Sequence, residues 1–359
     1  VNLLIQQLPI TTTPKYNFPQ TTQNFPFPQK FIELSLHSIK TLKGQTLIQQ
    51  EPYEPTTEDE IPINPQETFS VRPIPLKPIQ DNTVIIATDV SSIKIGETSN
   101  GILIALRGAI VWKNQHKYNY LRIGPFPFHI TEENKHEIHN LLNPLSKENI
   151  KNAPTLISMQ TRVASFFEHW LQMSISMLSK NSLILWDGSL TIGTPDNPIS
   201  LIARLLETAR MHGNMVLAFS KMTRLKFNGQ GLTELVWKHP APCLLEINGF
   251  STMPSSGFHS LGNLYVAKLC EGGCAFRLDI DREFSSEQAV EAVEKLLGAD
   301  VLLHGYPETL RLSHILSTFT ANEVIALQRF ITKECGLEIV TRPNVRRLLF
   351  GPFGKGPEG

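Results

Sequence analysis

The pattern of apolar and polar positions changes near residue 80. Upstream, 12 of the chain's 25 prolines fall within residues 1–80, interleaved with Thr, Gln and Asn, a composition that disfavours long regular elements. Inside that stretch Phe31, Leu34, Leu36, Ile39 and Leu42 predict a short helix or strand pair over Lys30 to Gln50, and the segment is expected to wrap the core or contact a partner. From Val84 the apolar residues fall into strand-length runs. Val84 to Asp89, Gly101 to Trp112 and Tyr118 to Ile123 predict a three-strand meander, with Ser99-Asn100-Gly101 as a hairpin turn. A polar helical stretch follows around Glu132 to Leu142. Thr155 to Ser179 then reads as a long helix, with Met159, Val163, Phe166, Phe167 and Trp170 on one stripe.

A buried strand over Leu183 to Asp187, a helix from Pro198 to Arg210 and a strand from Asn214 to Phe219 come next, an alternation that implies parallel pairing through helical crossovers. Cys243 to Ile280 holds short strands broken by Gly and Pro, and helices are predicted over Ser286 to Leu297, Pro307 to Phe319 and Asn322 to Lys333. This order predicts an α/β fold: a ribonuclease-H-like mixed sheet flanked by helices, with an inserted β-rich subdomain at about 225–282. In such a sheet the first strand and the strand after the long helix lie side by side in parallel. Asp89 and Asp187 then meet at their carboxyl ends, where open α/β sheets place ligands.

Those aspartates carry the candidate chemistry. Each ends an apolar run and precedes small polar residues, in Thr88-Asp89-Val90-Ser91-Ser92 and Trp186-Asp187-Gly188-Ser189. A carboxylate at a buried strand end costs several kcal/mol, of the order known for buried charge, unless it is paired or bound to a cation. Two of them point to a metal site, a nuclease-like signature. The residues alone leave other readings open: Asp89 fits a turn cap, and Asp187-Gly188 is a common hairpin signal.

Composition narrows the partners. Basic and acidic residues number 33 each, so contact with nucleic acid needs a local patch. Lys221, Arg224 and Lys226 form one candidate and Arg342, Arg346, Arg347 and Lys355 another, a solvated surface being the ordinary meaning of such runs. The four cysteines are too few for a disulfide scaffold, and Cys270 and Cys274 lack a second pair at zinc-ribbon spacing, so they read as structural thiols. His136 and His139 miss the i, i+4 spacing of a zinc protease and read as surface histidines. No apolar stretch approaches the roughly 18 residues that span a bilayer, and no signal peptide is recognisable, so the chain reads as intracellular and cytoplasmic, without a membrane partner. Val1 in place of methionine implies that the genetic start lies elsewhere. An actin-like phosphotransferase is disfavoured because Val90, Ser91 and Ser92 replace the glycine needed beside a phosphate, and no glycine-rich phosphate loop occurs elsewhere.

Five features together resemble the NurA family of nucleases, the DNA-end-processing partners of the HerA helicase-translocase. They are Asp89-Val90-Ser91-Ser92, Glu168 on the helix before the second aspartate strand, Leu185-Trp186-Asp187-Gly188-Ser189-Leu190, Phe219-Ser220-Lys221, and Tyr306-Pro307-Glu308-Thr309-Leu310 leading to His314. The resemblance covers roughly residues 80–320. It implies that Asp89, Glu168 and Asp187 are metal-binding carboxylates, that His314 completes the site, and that Tyr306 stands nearby. Crowded carboxylates raise one another's pKa unless cations hold them ionised, and hard oxygen ligands with one imidazole suit Mg²⁺ or Mn²⁺, two ions per site. His314 is expected to bind an ion or shuttle a proton, and Lys221 to neutralise a phosphate. Glu168 lies at the margin of its helix's apolar arc, so Glu207 and Glu246 remain alternatives; His314 alone fits a packed core histidine, and Tyr306-Pro307 an ordinary helix start.

The resemblance further implies a 5′-to-3′ exonuclease with single-strand endonuclease activity in double-strand-break end resection. It also implies a homodimer docking on a hexameric HerA-type ATPase. The domain layout expected is an N-terminal extension (1–80), a nuclease domain (81–335) and a basic C-terminal segment (336–359). The non-enzymatic alternative is a DNA-binding or assembly subunit that keeps the fold without turnover.

Overall fold

A computed structural model describes residues 29–49, 61–63, 71–142, 154–194, 196–223, 225–227, 229–247 and 259–341. At its centre is one eleven-stranded mixed sheet. The meander is β3 (Ile85–Glu97), β4 (Gly101–Asn114) and β5 (Lys117–Thr131), antiparallel throughout. All three strands outrun the apolar runs that predict them. In β3 the alternation resumes after the polar Ser91-Ser92 with Ile93 and Ile95. In β5 Phe126, Phe128 and Ile130 face the core beyond Gly124-Pro125. Prolines demote a strand when read from sequence, but among the described residues β5 pairs with β4 alone, so its other side makes no demand on a missing N–H.

Parallel to β3 runs β6 (Leu183–Asp187), in the register Ile85↔Leu183 through Thr88↔Trp186. β7 (Met215–Ser220) is parallel to β6 on its far side. This is the adjacency that the ribonuclease-H-like order requires. The later β-rich stretch lengthens the same sheet with antiparallel β10 (Ala275–Asp281), β9 (Gly262–Lys268) and β8 (Cys243–Glu246), and β2 (Ile74–Pro75) closes that edge. On the other side, the far end of β3 meets β1 (Thr46–Gln49), itself parallel to β11 (Glu338–Thr341). β3 therefore changes neighbour along its length, from β6 to β1.

Seven α-helices cover the sheet among the described residues. On one face lies α3 (Leu156–Leu178), started by Thr155, whose hydroxyl accepts the Ser158 N–H. Its Met159, Val163, Phe167, Leu171 and Ile175 are fully buried against Ile86, Ile104, Phe128 and Ile184, each contributing about 1.5–3 kcal/mol of transfer free energy. Gly108 permits the close approach: a Cβ there would lie 2.7 Å from Leu171 and 3.0 Å from Phe167. α4 (Ile199–Met211) packs beside it. From the expected N-terminal extension, α1 (Gln29–Lys40) inserts Phe31 into this core, its ring 4.9 Å from that of Phe167.

The opposite face carries α5 (Ser286–Ala299) and α6 (Glu308–Ser317), which bury Ala289, Val293, Leu296 and Leu310 against Ile85, Ala87, Leu185 and Phe219. α7 (Ala321–Cys335) packs Leu327 and Ile331 on Leu42, Leu47 and Leu103. α2 (Lys135–Leu142) corrects one expectation: His136 is exposed, but His139 is buried at 4% exposure because it follows Ile138 on the packed face. Burial, then the charge of Arg162, lowers its pKa. No helix among the described residues is long and apolar enough to cross a membrane.

Candidate active site

Strand alternation decides which way the aspartates point. Ile85 and Ala87 on β3, like Leu183 and Leu185 on β6, belong to the core under α5 and α6. Two residues on, Asp89 and Asp187 fall on that same face. They also follow directly on Thr88 and Trp186, the last pair before β3 and β6 part. From α6 above, His314 reaches down: its Nδ1 is 3.4 Å from Asp89 Oδ2 and 3.9 Å from Asp187 Oδ2. One ligand atom from each of Asp89, Asp187 and His314 lies within 4.8 Å of the others.

Asp89 is 8% exposed and is held by Ser317, whose hydroxyl donates to Asp89 Oδ2. Ser91, also on β3, lies 3.1 Å from the Ser317 hydroxyl and completes a short chain of polar groups beneath α6. Asp187 is held by Lys221, whose Nζ is 2.5 Å from Oδ2 and 5.6 Å from the centre of the Tyr306 ring. Tyr306 is buried between Phe219 and Phe276. Burial, then the charges of Asp187 and Asp89, raises the pKa of its phenol and keeps it neutral.

Glu168 lies outside the group of three. It projects from α3, the helix on the other face of the sheet, and accepts a hydrogen bond from Gln172 at 3.4 Å. Its carboxyl nonetheless senses the aspartates: desolvation first, then the charges of Asp89 and Asp187, push its pKa up to about 8. Glu207 is exposed on α4, and Glu246 on β8 accepts the Ser286 hydroxyl at 2.7 Å; neither joins the cluster. Arg224, Arg342, Arg346, Arg347 and Lys355 lie outside the described residues.

The turn after Asp187 is fixed from two sides. Gly188, at φ +134, adopts a conformation that side chains disfavour, which lets its N–H donate to Phe219 at 2.8 Å while Ser220 donates to its carbonyl at 2.8 Å. Two residues on, the Leu190 N–H donates to the buried Asp279 carboxylate at 3.0 Å, and Asp279 is paired with Arg277 at 2.6 Å. Sequence reasoning missed Ser317 and the Arg277–Asp279 pair, and singled out Ser91 only as part of the motif after Asp89. Ser317 left a local signal, three residues after His314 and so on the same side of a helix.

No protein-family model matches the chain, and no curated protein matches it by sequence. Among solved structures it is similar to the NurA nuclease from Sulfolobus solfataricus, with 14% identity over 74% of this chain and 88% of that one, and a TM-score of 0.47. It is also similar to NurA bound to dAMP and manganese, with 11% identity, coverage of 70% and 88%, and a TM-score of 0.41. A third is Ciona intestinalis endonuclease V in complex with a 24mer DNA containing an inosine followed by a ribo-adenosine, with 13% identity, coverage of 68% and 87%, and a TM-score of 0.35. The likeness is one of fold.

The donor set itself fits a divalent cation. Two carboxylates and an imidazole converge, and the negative charge of the carboxylates adds to burial in raising the pKa of the nearby Glu168 carboxyl. Oxygen-rich donors with one nitrogen match hard cations such as Mg²⁺ and Mn²⁺. The hydrogen bond to Asp89 raises the His314 pKa against the opposing effect of burial.

Proposed function

We propose that this protein is a divalent-metal-dependent deoxyribonuclease, and the observation that carries the reading is the convergence of Asp89, Asp187 and His314 from three elements distant in sequence. Asp89, Asp187 and His314, with Glu168 beside them, would hold Mg²⁺ or Mn²⁺, as two ions, supplying charge stabilisation at a phosphodiester and an acidified water. The rest is done by the chain's own groups. The Lys221 side chain, 41% exposed beside Asp187, would neutralise a non-bridging phosphate oxygen. Ser317 orients the Asp89 carboxylate, and the buried Tyr306 ring limits where the Lys221 ammonium can swing. His314, 49% exposed, would either ligate through Nδ1 or shuttle a proton.

The residue-level resemblance to NurA nucleases supports a finer version. In it the chain is a homodimer that works with a HerA-type hexameric translocase in double-strand-break end resection, as a 5′-to-3′ exonuclease and single-strand endonuclease on DNA in the cytoplasm. The test is degradation of linear DNA by the purified protein with Mn²⁺ or Mg²⁺ and with EDTA. Cleavage that needs the metal and disappears in folded Asp89→Asn and Asp187→Asn supports the reading. A wild-type protein that binds DNA and cuts none under either metal would overturn it in favour of a non-catalytic DNA-binding subunit.

A further inference from the structure

Glu323 lies beyond the candidate active site, yet three elements meet on its carboxylate. Oε1 accepts Arg122 Nη2 of β5 at 2.9 Å and Arg107 Nη1 of β4 at 3.0 Å. Oε2 accepts the Thr320 N–H at 2.9 Å, closing the capping box that starts α7. The same two arginines grip the backbone just before it. Arg122 Nε donates to the Leu316 carbonyl at 3.0 Å, Arg107 Nη1 to the Thr318 carbonyl at 3.3 Å, and the Arg107 guanidinium lies 4.3 Å from the centre of the Phe319 ring. The end of α6 and the start of α7 are thus tied to the meander by two cations and one shared anion.

Arg107 is aimed by an irregularity in its strand. The β4–β5 register shifts between Leu106 and Gly108, and a bulge of this kind redirects the side chain at the shift. On its other side Arg107 pairs with Ser91 of β3, the residue in contact with Ser317. At 5% exposure a guanidinium is tolerated only with its partner in place, since an unpaired buried charge is strongly unfavourable. The ties fall on Leu316 and Thr318, which flank Ser317, and Ser317 holds Asp89.

We propose that Arg107 and Arg122 are positioning residues for the active site, holding the end of α6 through Glu323 and the Leu316 and Thr318 carbonyls so that His314 and Ser317 stay against Asp89. Neither arginine is among the three residues whose ligand atoms converge; their effect passes through the helix end. The inference rests on the nuclease reading only for what the held site does.

The full chain is compared with Arg107→Met, Arg107→Lys and Glu323→Gln by Mn²⁺ titration followed by electron paramagnetic resonance, by melting, and by kcat and KM on linear DNA. Losing outer support of metal ligands typically weakens metal binding or activity about 10–100-fold. The expected result is Mn²⁺ affinity and kcat about tenfold lower in Arg107→Met and Glu323→Gln. KM for DNA stays unchanged, and Arg107→Lys recovers part of the loss because it restores a positive charge on the Glu323 side of β4. Wild-type Mn²⁺ affinity and kcat in folded Glu323→Gln would sink the proposal. Should Arg107→Met fail to fold, Glu323→Gln decides, since that side chain is 33% exposed. If the wild type binds Mn²⁺ but cuts no DNA, the nuclease reading falls and Mn²⁺ affinity still judges the positioning role. If it binds no Mn²⁺, hydrogen exchange of the Thr318 amide, bonded to the His314 carbonyl at 3.1 Å, decides. Faster exchange in Glu323→Gln supports the role, and unchanged exchange overturns it.

Discussion

Ser317 on α6 donates its hydroxyl to Asp89 on β3, across 228 residues of chain. The carboxylate that a buried strand delivers is thereby oriented by a helix assembled much later in the sequence, and His314 arrives on the same helix. Replacing Ser317 with Ala removes a hydrogen bond to a charged group, worth about 1.5–3 kcal/mol. Urea denaturation of Ser317→Ala should show a loss of that order, with metal-dependent cleavage falling about tenfold. Wild-type values in both measurements would count against the contact.

Glu168 links stability to pH. Its ordinary value of 4.5 is raised to about 8 in the fold. Between those values the native state holds a proton that the unfolded chain has released, so its contribution is complete below about 4.5 and is lost as pH rises through about 8. Melting curves in EDTA should therefore fall more steeply across this window for wild type than for Glu168→Gln. Added Mn²⁺ should flatten the wild-type slope, because a cation offsets the charges of Asp89 and Asp187.

Glu323 acts in the opposite sense. Burial opposes its ionisation, but hydrogen bonds from Arg107, the Thr320 N–H and Arg122 outweigh it and bring the pKa down from 4.5 to about 2. Its stabilising contribution is present above about 4.5 and lost as pH falls through about 2. Acid unfolding of Glu323→Gln should lack this component. Superimposable acid limbs for the two proteins would contradict it.

At Gly108 α3 packs tightly against the sheet. An added Cβ would meet Leu171 at 2.7 Å and Phe167 at 3.0 Å, both fully buried. Overpacking of this kind costs about 1–3 kcal/mol, so Gly108→Ala should lose that much by urea denaturation. An unchanged midpoint would show that α3 yields freely.

Asp279→Ala should be the most damaging of these substitutions. It leaves the buried Arg277 guanidinium without its 2.6 Å partner and deprives the Leu190 N–H of its acceptor. Breaking a buried pair from one side costs about 3–5 kcal/mol. The turn after Asp187 would loosen with it, so cleavage should fall further in Asp279→Ala than in Arg277→Ala, which keeps the Leu190 acceptor, when the two are compared at a temperature where both are folded.

The elements themselves were legible in the chain because secondary structure follows local periodicity. Short continuous apolar runs marked β3 and β6, and the 3.6-residue stripe marked α3. Asp89 and Asp187 stood out because a carboxylate ending an apolar run is costly wherever the run folds. The lengths of β3 and β5 were hidden by Ser91-Ser92 and by the prolines at 125 and 127, whose cost depends on an edge position that no local window reveals. Likewise β1 and β11 pair near opposite ends of the chain, and neither run predicts its partner.

What the sequence determined by itself was the order of elements and the two acidic strand ends, both consequences of side-chain chemistry acting over a few residues. Tertiary structure alone decided that His314 and Ser317 cap those aspartates, that Glu168 comes from the other face, and that Arg107 and Arg122 grip the turn before Glu323. These are contacts between segments a hundred or more residues apart in most cases. They exist only once the sheet has chosen its neighbours and its helices have settled on their faces.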